Sequence, residues 1–420
     1  MSLMASVIAG SLAGSSGATF ADPPDLAAWI RNTDGHTGYA GAPADVQAVY
    51  YSNSFVYVEC TAIPTYTIGP WPGNPNVASN QNWRFKIARQ PVAATTHTAT
   101  PLGHIGLWSN GVVIFNARDA QSYQNQNVWR QNAIFAEANG FDACLGHPQM
   151  TGSYHHHQNP LCLYSTADTT LHSPILGYAF DGFPIYGPYG YANADGSGGV
   201  LRIESSYRAR NITQRTTLPD GTILAPVNYG PAVSATYPLG YYVEDFEYVS
   251  GLGRLDEYNV RFAVTPEYPL GTYAYVVTIN ADGSSAYPYA LGPSYFGVLI
   301  AGNTGPGSGH VTIGESVTLY DPPSGVSPPV SDGVRLAIGP AVPNPARAEM
   351  SLRLTLAEAA EVRIRLIDVA GRTALDDGPR RLTAGTQLLP LTLAGLAPGV
   401  YFVEARSEAS TARTRVIVLR

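Results

Sequence analysis

Charged residues are scarce in this chain of 420 residues: they make up 13% of it and include a single lysine, Lys86. The formal net charge of −7 is mild and no basic block is present, which argues against nucleic acid or an anionic membrane surface as a partner. Past the opening segment, no apolar run approaches transmembrane length. No Gly-x-Ser-x-Gly elbow, phosphate loop or dinucleotide fingerprint stands in a suitable context, so these chemistries have no support.

Turn-forming and aromatic residues are abundant instead. The chain has 43 glycines, 33 prolines and 27 tyrosines. Few charges, many turn formers and many aromatics are typical of a β-rich extracellular protein rather than a helical cytosolic enzyme. The length predicts two domains of unequal size.

The opening residues are small and apolar. Residues 1–21 look like the apolar stretch of a secretory signal, and Thr19 and Ala21 suit cleavage before Asp22. The positively charged leader is missing, so either the true start lies upstream or the signal is atypical. We treat 1–21 as a signal-like segment.

Alternating apolar residues and turn pairs predict an antiparallel β-rich domain, most simply a sandwich. The pattern predicts one strand in 82–89 and three hairpins. The hairpins cover 45–60, 105–115 with a turn at Asn110-Gly111, and 173–187 with a turn at Asp181-Gly182. Apolar residues at helical spacing predict one short helix over 126–139.

One stretch concentrates the histidines. Four of the nine lie between His147 and His157. If Tyr154 to His157 is extended, His155 and His157 point to one face and His156 to the other. We therefore expect His147, His155 and His157 to bind a divalent metal, zinc or copper. The alternative is a polar hairpin whose histidines only form hydrogen bonds within the hairpin.

Two of the three cysteines, Cys144 and Cys162, bracket this stretch. We expect them to form a disulfide that closes a loop around the histidines, unless the protein stays in the reducing cytosol. Cys60 is then left without a partner.

The same residues carry a family resemblance. The chain resembles the YHYH domain, whose Tyr-His-Tyr-His signature precedes an Asp-Gly-Phe-Pro-Ile-Tyr-Gly block. The second signature tyrosine is His156 here. The resemblance covers about half the chain and implies a fold rather than a reaction. The matching blocks are Gly103–Asn116, Gly146–Pro148, Gly152–His157, Gly177–Tyr189, Leu255–Asn259 and Thr265–Tyr275.

Composition changes near residue 321. Residues 321–334 are rich in Pro, Gly and Ser and predict a linker. Alternating apolar residues in 335–420 predict a small immunoglobulin-like β-sandwich. Three of its segments, Pro343–Pro345, Asp368–Arg372 and Leu396–Phe402, resemble the type IX secretion sorting domain and also the flagellar hook-capping module. The first resemblance implies secretion machinery as the partner of 335–420 and an outer-surface or secreted location. The YHYH-type β domain would then occupy 22–320.

Several further residues are weaker candidates for the site. Asp181 is a candidate fourth ligand or base, or a plain turn residue. Asp256 and Glu257 form a carboxylate pair that could bind calcium or act as acid and base, with Glu257 the candidate base, or are a solvated turn. His104 and His172 are candidate additional or supporting ligands, although His172 also fits a surface loop.

The sequence leaves two classes of function open. One is metal binding without turnover, including a structural or adhesive module. The other is a metal-dependent hydrolase acting on an extracellular small molecule or polymer, with Asp181 or Glu257 as base.

Overall fold

The computed structural model of the chain describes most of both predicted domains. The described residues are 22–165, 168–305, 308–321, 336–338, 346–356, 359–368, 372–383, 385–407 and 411–419. The signal-like segment at 1–21 and residues 322–334 of the predicted linker lie outside them. The chain divides into two compact units, Met1–Val326 and Ser327–Arg420.

The larger unit is built from short strands. Its strands among the described residues are β1 (Val46–Tyr51), β2 (Phe55–Cys60), β3 (Trp83–Ala88), β4 (His104–Trp108), β5 (Val113–Phe115), β6 (Arg118–Ser122), β7 (Arg130–Asn132), β8 (Gly146–Pro148), β9 (Tyr154–His156), β10 (Ile175–Ala179), β11 (Pro184–Tyr186), β12 (Tyr189–Tyr191), β13 (Val200–Arg202), β14 (Tyr207–Ala209), β15 (Phe246–Tyr248), β16 (Val260–Ala263), β17 (Thr272–Val276) and β18 (Thr318–Leu319).

Helices contribute little to this unit. The α-helices are α1 (Pro24–Ala27) and α2 (Ala133–Ala136), each of four residues. Single 3₁₀ turns cover Tyr39–Gly41, Tyr123–Asn125, Ala138–Gly140, Pro226–Asn228 and Val243–Asp245.

Two sheets share the core of the larger unit. One has four strands in the order β18-β1-β2-β3, and the other has eight in the order β16-β17-β11-β10-β4-β5-β9-β8. Phe85 of β3 stacks on Phe180 after β10, with ring centroids 5.1 Å apart. Both rings belong to one buried cluster that includes side chains from both sheets. The predicted mainly-β fold is confirmed.

The predicted hairpins are present, with one difference in a turn. β1 pairs with β2, β4 with β5 and β10 with β11, all antiparallel. An Asn-Gly pair in a two-residue hairpin turn favours positive φ at both residues, but of Asn110 and Gly111 only Gly111 has it, at +79°. The Gly111 N–H donates to the Trp108 carbonyl at 2.8 Å, so the loop is one residue longer than a two-residue turn.

The helix predicted over 126–139 is wrong for most of its length. Only Ala133–Ala136 is α-helical, and Arg130–Asn132 is a strand. Asn127 has a φ of +58°, in the left-handed region, which an α-helix cannot include. The Asn132 amide is buried and donates to the Gly240 carbonyl and the Tyr289 hydroxyl, so tertiary bonds replace helical ones.

The eight-stranded sheet is mixed rather than purely antiparallel. β5 pairs with β9 in parallel, and β11 pairs with β17 in parallel. Parallel neighbours require a long crossover. The crossover from β5 to β9 contains β6, β7, α2 and β8, and it supplies a residue of the site described below.

The smaller unit is a two-sheet β structure. Its strands among the described residues are β19 (Leu336–Ile338), β20 (Glu349–Leu356), β21 (Ala360–Asp368), β22 (Thr373–Leu382), β23 (Gly385–Thr392), β24 (Gly399–Arg406) and β25 (Thr411–Val418). The sheet orders are β19-β20-β23 and β22-β21-β24-β25. One apolar cluster contains Leu352 and Leu354 of the first sheet and Ile364 and Val403 of the second, as in a sandwich.

The predicted disulfide is present: Cys144 and Cys162 are bonded and are 18 positions apart in sequence. Cys60 is a buried free cysteine. The cystine joins the start of β8 to the chain that follows β9.

Replacing Cys144 and Cys162 by Ala should lower the free energy of unfolding by about 3 kcal/mol, because the closed loop restricts the unfolded chain. Denaturant midpoints measure the change. Reductant should lower the midpoint of the wild type toward that of the variant and leave the variant unaffected. Equal midpoints for the oxidised wild type and the variant would contradict the expectation.

Candidate metal centre

The histidine stretch forms the last two strands at one edge of the eight-stranded sheet. β9 lies between β5 and the edge strand β8. His147 of β8 stands directly opposite His155 of β9. Side chains of directly opposed residues project from the same face of a sheet. His147 is therefore brought to the site by strand pairing.

Three imidazole nitrogens meet on this face. The Nε2 atom of His155 lies 3.1 Å from Nε2 of His147 and 3.1 Å from Nε2 of His157. His156, between them in sequence, points the other way and packs edge-on against Tyr154. All of these histidines are buried.

Two of the rings have a fixed tautomer. Nδ1 of His155 lies 3.0 Å from the Ser153 carbonyl, and Nδ1 of His157 lies 2.6 Å from the Asn116 carbonyl. A carbonyl only accepts, so each Nδ1 carries the proton and donates it. The neutral ring then has a lone pair on Nε2. Burial holds the pKa of His155 well below its usual value and keeps that ring neutral.

A carboxylate joins the nitrogens. Oε2 of Glu137, in the residue after α2, lies 2.7 Å from Nε2 of His147 and 3.2 Å from Nε2 of His157. Burial opposes its ionisation, but the contacts with His147 and His157 hold the pKa of Glu137 well below its usual range.

We call Glu137, His147, His155 and His157 the metal cluster. Their ligand atoms all lie within 4.8 Å of one another. Donor atoms 2.0–2.1 Å from a tetrahedral zinc ion would be about 3.3 Å apart. Four of the six pairs of ligand atoms come close to this separation, at 2.7, 3.1, 3.1 and 3.2 Å, and the other two pairs lie within 4.8 Å. The residues therefore fit a transition metal. They fit calcium poorly, since calcium takes six to eight oxygen ligands.

A second layer of bonds holds the two histidine strands in register. Asp142 accepts hydrogen bonds from the backbone N–H groups of Cys144 and Gly146 at 2.9 and 3.1 Å. The Tyr154 hydroxyl donates to the same carboxylate at 3.0 Å. The tyrosine that opens the signature is thus a structural residue that anchors β9 to the turn before β8.

The metal cluster lies in the wall of a cleft of about 920 Å³. The cleft is also lined by the rings of Trp83, His104 and Phe115 and by Arg118 and Asp119. Phe115 stacks on His155 with ring centroids 3.8 Å apart. An ion held by the cluster would therefore be screened by an aromatic ring on one side and reachable from the cleft.

Asp181 does not join the metal cluster. It is fully buried at the β10–β11 turn, and β4 and β5 lie between β10 and β9. Its carboxylate accepts hydrogen bonds from the Tyr275 hydroxyl at 2.5 Å and the Gly297 N–H at 2.7 Å. Burial raises the pKa of Asp181 to about 6. These bonds hold the Asp181 carboxylate at the β10–β11 turn, and it is not among the ligand atoms of the metal cluster.

The predicted carboxylate pair is also elsewhere. The Asp256 side chain accepts hydrogen bonds from the N–H groups of Tyr258 and Val260, as in a turn. The Glu257 carbonyl accepts a hydrogen bond from the Tyr207 hydroxyl. Neither carboxylate belongs to the metal cluster. The calcium and acid–base roles suggested for the pair stay predictions.

The two candidate supporting histidines, His104 and His172, differ in position. His172 is distant from the metal cluster: its Nδ1 donates to the Ser173 carbonyl at 2.7 Å and its ring packs against Tyr186 and Tyr191. His104 lines the same cleft but is not in the cluster. Its Nδ1 bonds the Ser308 hydroxyl at 2.6 Å.

Glu137 is the residue that sequence reasoning missed. It falls within the segment interpreted as a helix, ten positions before His147, and no spacing rule connects the two. One signal was available: Glu137 is the sole acidic residue between Asp119 and Asp142.

The larger unit is a β-rich domain with a histidine–carboxylate centre, and the smaller unit is a two-sheet β structure. The family models identify both parts: that of YHYH protein matches residues 84–286, and that of the secretion system C-terminal sorting domain matches residues 341–419. The chain therefore contains a YHYH domain followed by a type IX sorting domain, as the resemblances predicted. No curated protein matches the chain.

The sorting domain places the protein in the secreted or outer-surface class and points to the type IX secretion machinery. In the part of the chain that the structure describes, no helix is long and apolar enough to cross a membrane.

His104 provides a pH test of this region. Burial lowers its pKa to about 4, while an unfolded histidine has a pKa near 6.5. Between these values the unfolded chain binds a proton that the native chain does not. The stability contribution of His104 should therefore fall by about 1.5 kcal/mol as the pH drops from 6.5 to 5.

Chemical unfolding of the metal-free protein at several pH values measures this. His104→Phe should make the dependence shallower in that window, because Phe suits the ring contacts with Trp83 and Phe115 and does not titrate. The same slope in both proteins would show that His104 is not the source.

Proposed function

We propose that this exported protein binds one divalent transition metal ion, zinc or copper, through Glu137, His147, His155 and His157. The observation that carries the proposal is the pair of Nε2 atoms of His155 and His157, 3.1 Å apart. Both Nδ1 atoms donate to carbonyls, so both Nε2 atoms present lone pairs. Lone pairs at this separation repel unless a cation lies between them.

A shared proton is the competing explanation. It would require one of the buried rings to carry a positive charge, and burial lowers the pKa of His155. Oε2 of Glu137, 2.7 Å from Nε2 of His147 and 3.2 Å from Nε2 of His157, adds a third acceptor atom at the same point. A divalent cation neutralises all three, and borderline imidazole ligands favour zinc or copper over magnesium or calcium.

Metal analysis of protein purified without a histidine tag tests the proposal. We expect about one zinc or copper ion per chain and a rise in the thermal midpoint on reloading the chelator-treated protein, because the ion binds the folded state. His155→Ala and His157→Ala should each abolish uptake, since each removes one donor nitrogen.

His156→Ala is the matched control. It removes an adjacent imidazole that faces away from the metal cluster, so it should reduce stability through the lost packing but leave the metal content of the folded protein unchanged. Equal loss of metal from all three variants, or no metal in the wild type, would contradict the proposed ligand set.

Metal-dependent hydrolysis is the second candidate, favoured by the position of the metal cluster in the wall of the cleft. The side chain of Glu137 is 26% exposed. If three imidazoles alone hold the ion, one coordination position stays open to the cleft, as in catalytic zinc sites, and the metal would supply activation of water there. Glu137 would then accept the proton.

Glu137→Gln separates the two functions, because it removes the charge and keeps the shape. If Glu137 is a ligand in a closed set, the variant should lose metal affinity, by roughly 10-fold or more. If Glu137 is a base, the metal content should persist, and turnover of chromogenic ester and phosphoester substrates by the wild type should be lost in the variant. Absence of turnover in the metal-loaded wild type would remove the hydrolase reading for these substrate classes.

A further inference from the structure

We propose that the cleft beside the metal cluster binds a neutral carbohydrate chain. The proposal rests on the proposed function only in assigning the ligand to the cleft that contains the metal cluster. Three properties of the cleft support it: few usable charges, many amide and hydroxyl groups, and a sheet edge whose backbone groups are already bonded.

Usable charge is scarce in the cleft. Apart from the histidines and Glu137, its charged lining residues are Arg118 and Asp119. Arg118 donates through Nη2 to the Thr100 carbonyl at 2.6 Å, and the Asp119 carboxyl interacts with Glu137. Recognition of a phosphate, sulfate or uronate chain calls for several arginines or lysines, and this wall does not supply them.

Amides and hydroxyls replace the charges. An amide both donates and accepts, which matches sugar hydroxyl groups. The polar uncharged side chains that line the cleft are Asn74, Asn76, Gln81, Asn139, Gln149, Thr151 and Ser308. Two of these amides are fixed in orientation. Nδ2 of Asn74 donates to the Pro148 carbonyl at 2.7 Å, and Nε2 of Gln81 donates to the Ser79 carbonyl at 2.8 Å. Fixed amides lose less entropy when a ligand binds.

The wall of the cleft that contains the metal cluster is long enough for a chain. His104, on β4, stands opposite Phe115 on β5, and His155 on β9 stands opposite His147 on β8. These strands are consecutive in the sheet. At about 4.8 Å per strand, the row from His104 to His147 spans about 14 Å.

A second pair of polar groups lies at the β4 end of this row. His104 is only 4% exposed, yet its Nδ1 bonds the Ser308 hydroxyl at 2.6 Å, and both residues line the cleft. The cleft therefore has the metal cluster at one position and a hydroxyl–imidazole pair at another.

An extended peptide is the main competitor, and the edge strand argues against it. A peptide that adds to a sheet needs free backbone groups on the edge. On β8, the Gly146 N–H donates to the Asp142 carboxylate at 3.1 Å and its carbonyl accepts from the Asp142 N–H at 3.0 Å. Pro148 has no N–H, and its carbonyl is bonded to Asn74. The outward backbone groups of Gly146 and Pro148 are therefore not free to pair with a peptide strand.

The test is binding of the metal-loaded full-length protein to an array that carries neutral, uronic-acid and sulfated glycans together with immobilised peptides. Isothermal titration calorimetry then measures the affinity for the strongest neutral oligosaccharide. We expect binding to neutral glycans. Gln149→Ala and Asn76→Ala, both half-buried in the cleft wall, should each weaken it at least 10-fold.

Gln90→Ala is the matched control, because Gln90 is an exposed amide outside the cleft lining and its removal should change nothing. Metal content and thermal midpoint are measured on the same samples. No neutral-glycan binding by protein that holds one metal ion, or preference for acidic glycans or peptides, would overturn the carbohydrate proposal alone. Glycan binding by protein that takes up no metal would support it and overturn the metal proposal instead.

Discussion

The candidate centre depends on one pairing, that of the three-residue strand β8 with β9. It sets His147 opposite His155 and turns three imidazoles toward one point. So short an edge strand has few bonds of its own. Asp142 bonds the backbone before and within β8 and the Tyr154 hydroxyl on β9, and the cystine closes the same segment. Without these bonds the Nε2 atoms of the three histidines would not stay close together, since their lone pairs repel.

Local pattern was sufficient for the parts of the fold and site that lie close in sequence. Alternation along a strand placed His155 and His157 on one face and His156 on the other, because the strand period is two residues. Turn chemistry located the hairpin at Asp181-Gly182. Asp181 is close to the histidines in sequence but not in the sheet. The strand order places β4 and β5 between β10, which precedes Asp181, and the histidine strand β9.

The parts that could not be predicted depend on the crossover between β5 and β9. Its apolar residues fall at helical spacing, but Asn127 takes a left-handed conformation and Asn132 bonds residues more than a hundred positions away. The conformation of the crossover is set by tertiary contacts. This conformation also places Glu137 beside His147. Periodicity carries no information about such a contact, so both the failed helix and the missed carboxylate have the same cause.

The covalent ring closed by Cys144 and Cys162 encloses His147, His155 and His157 but leaves Glu137 outside. In an oxidised chain that has lost its tertiary structure, the three imidazoles still share a small loop. A denatured molecule of this protein would thus retain weak chelating ability, which reduces the net gain in stability that an ion can give to the native state.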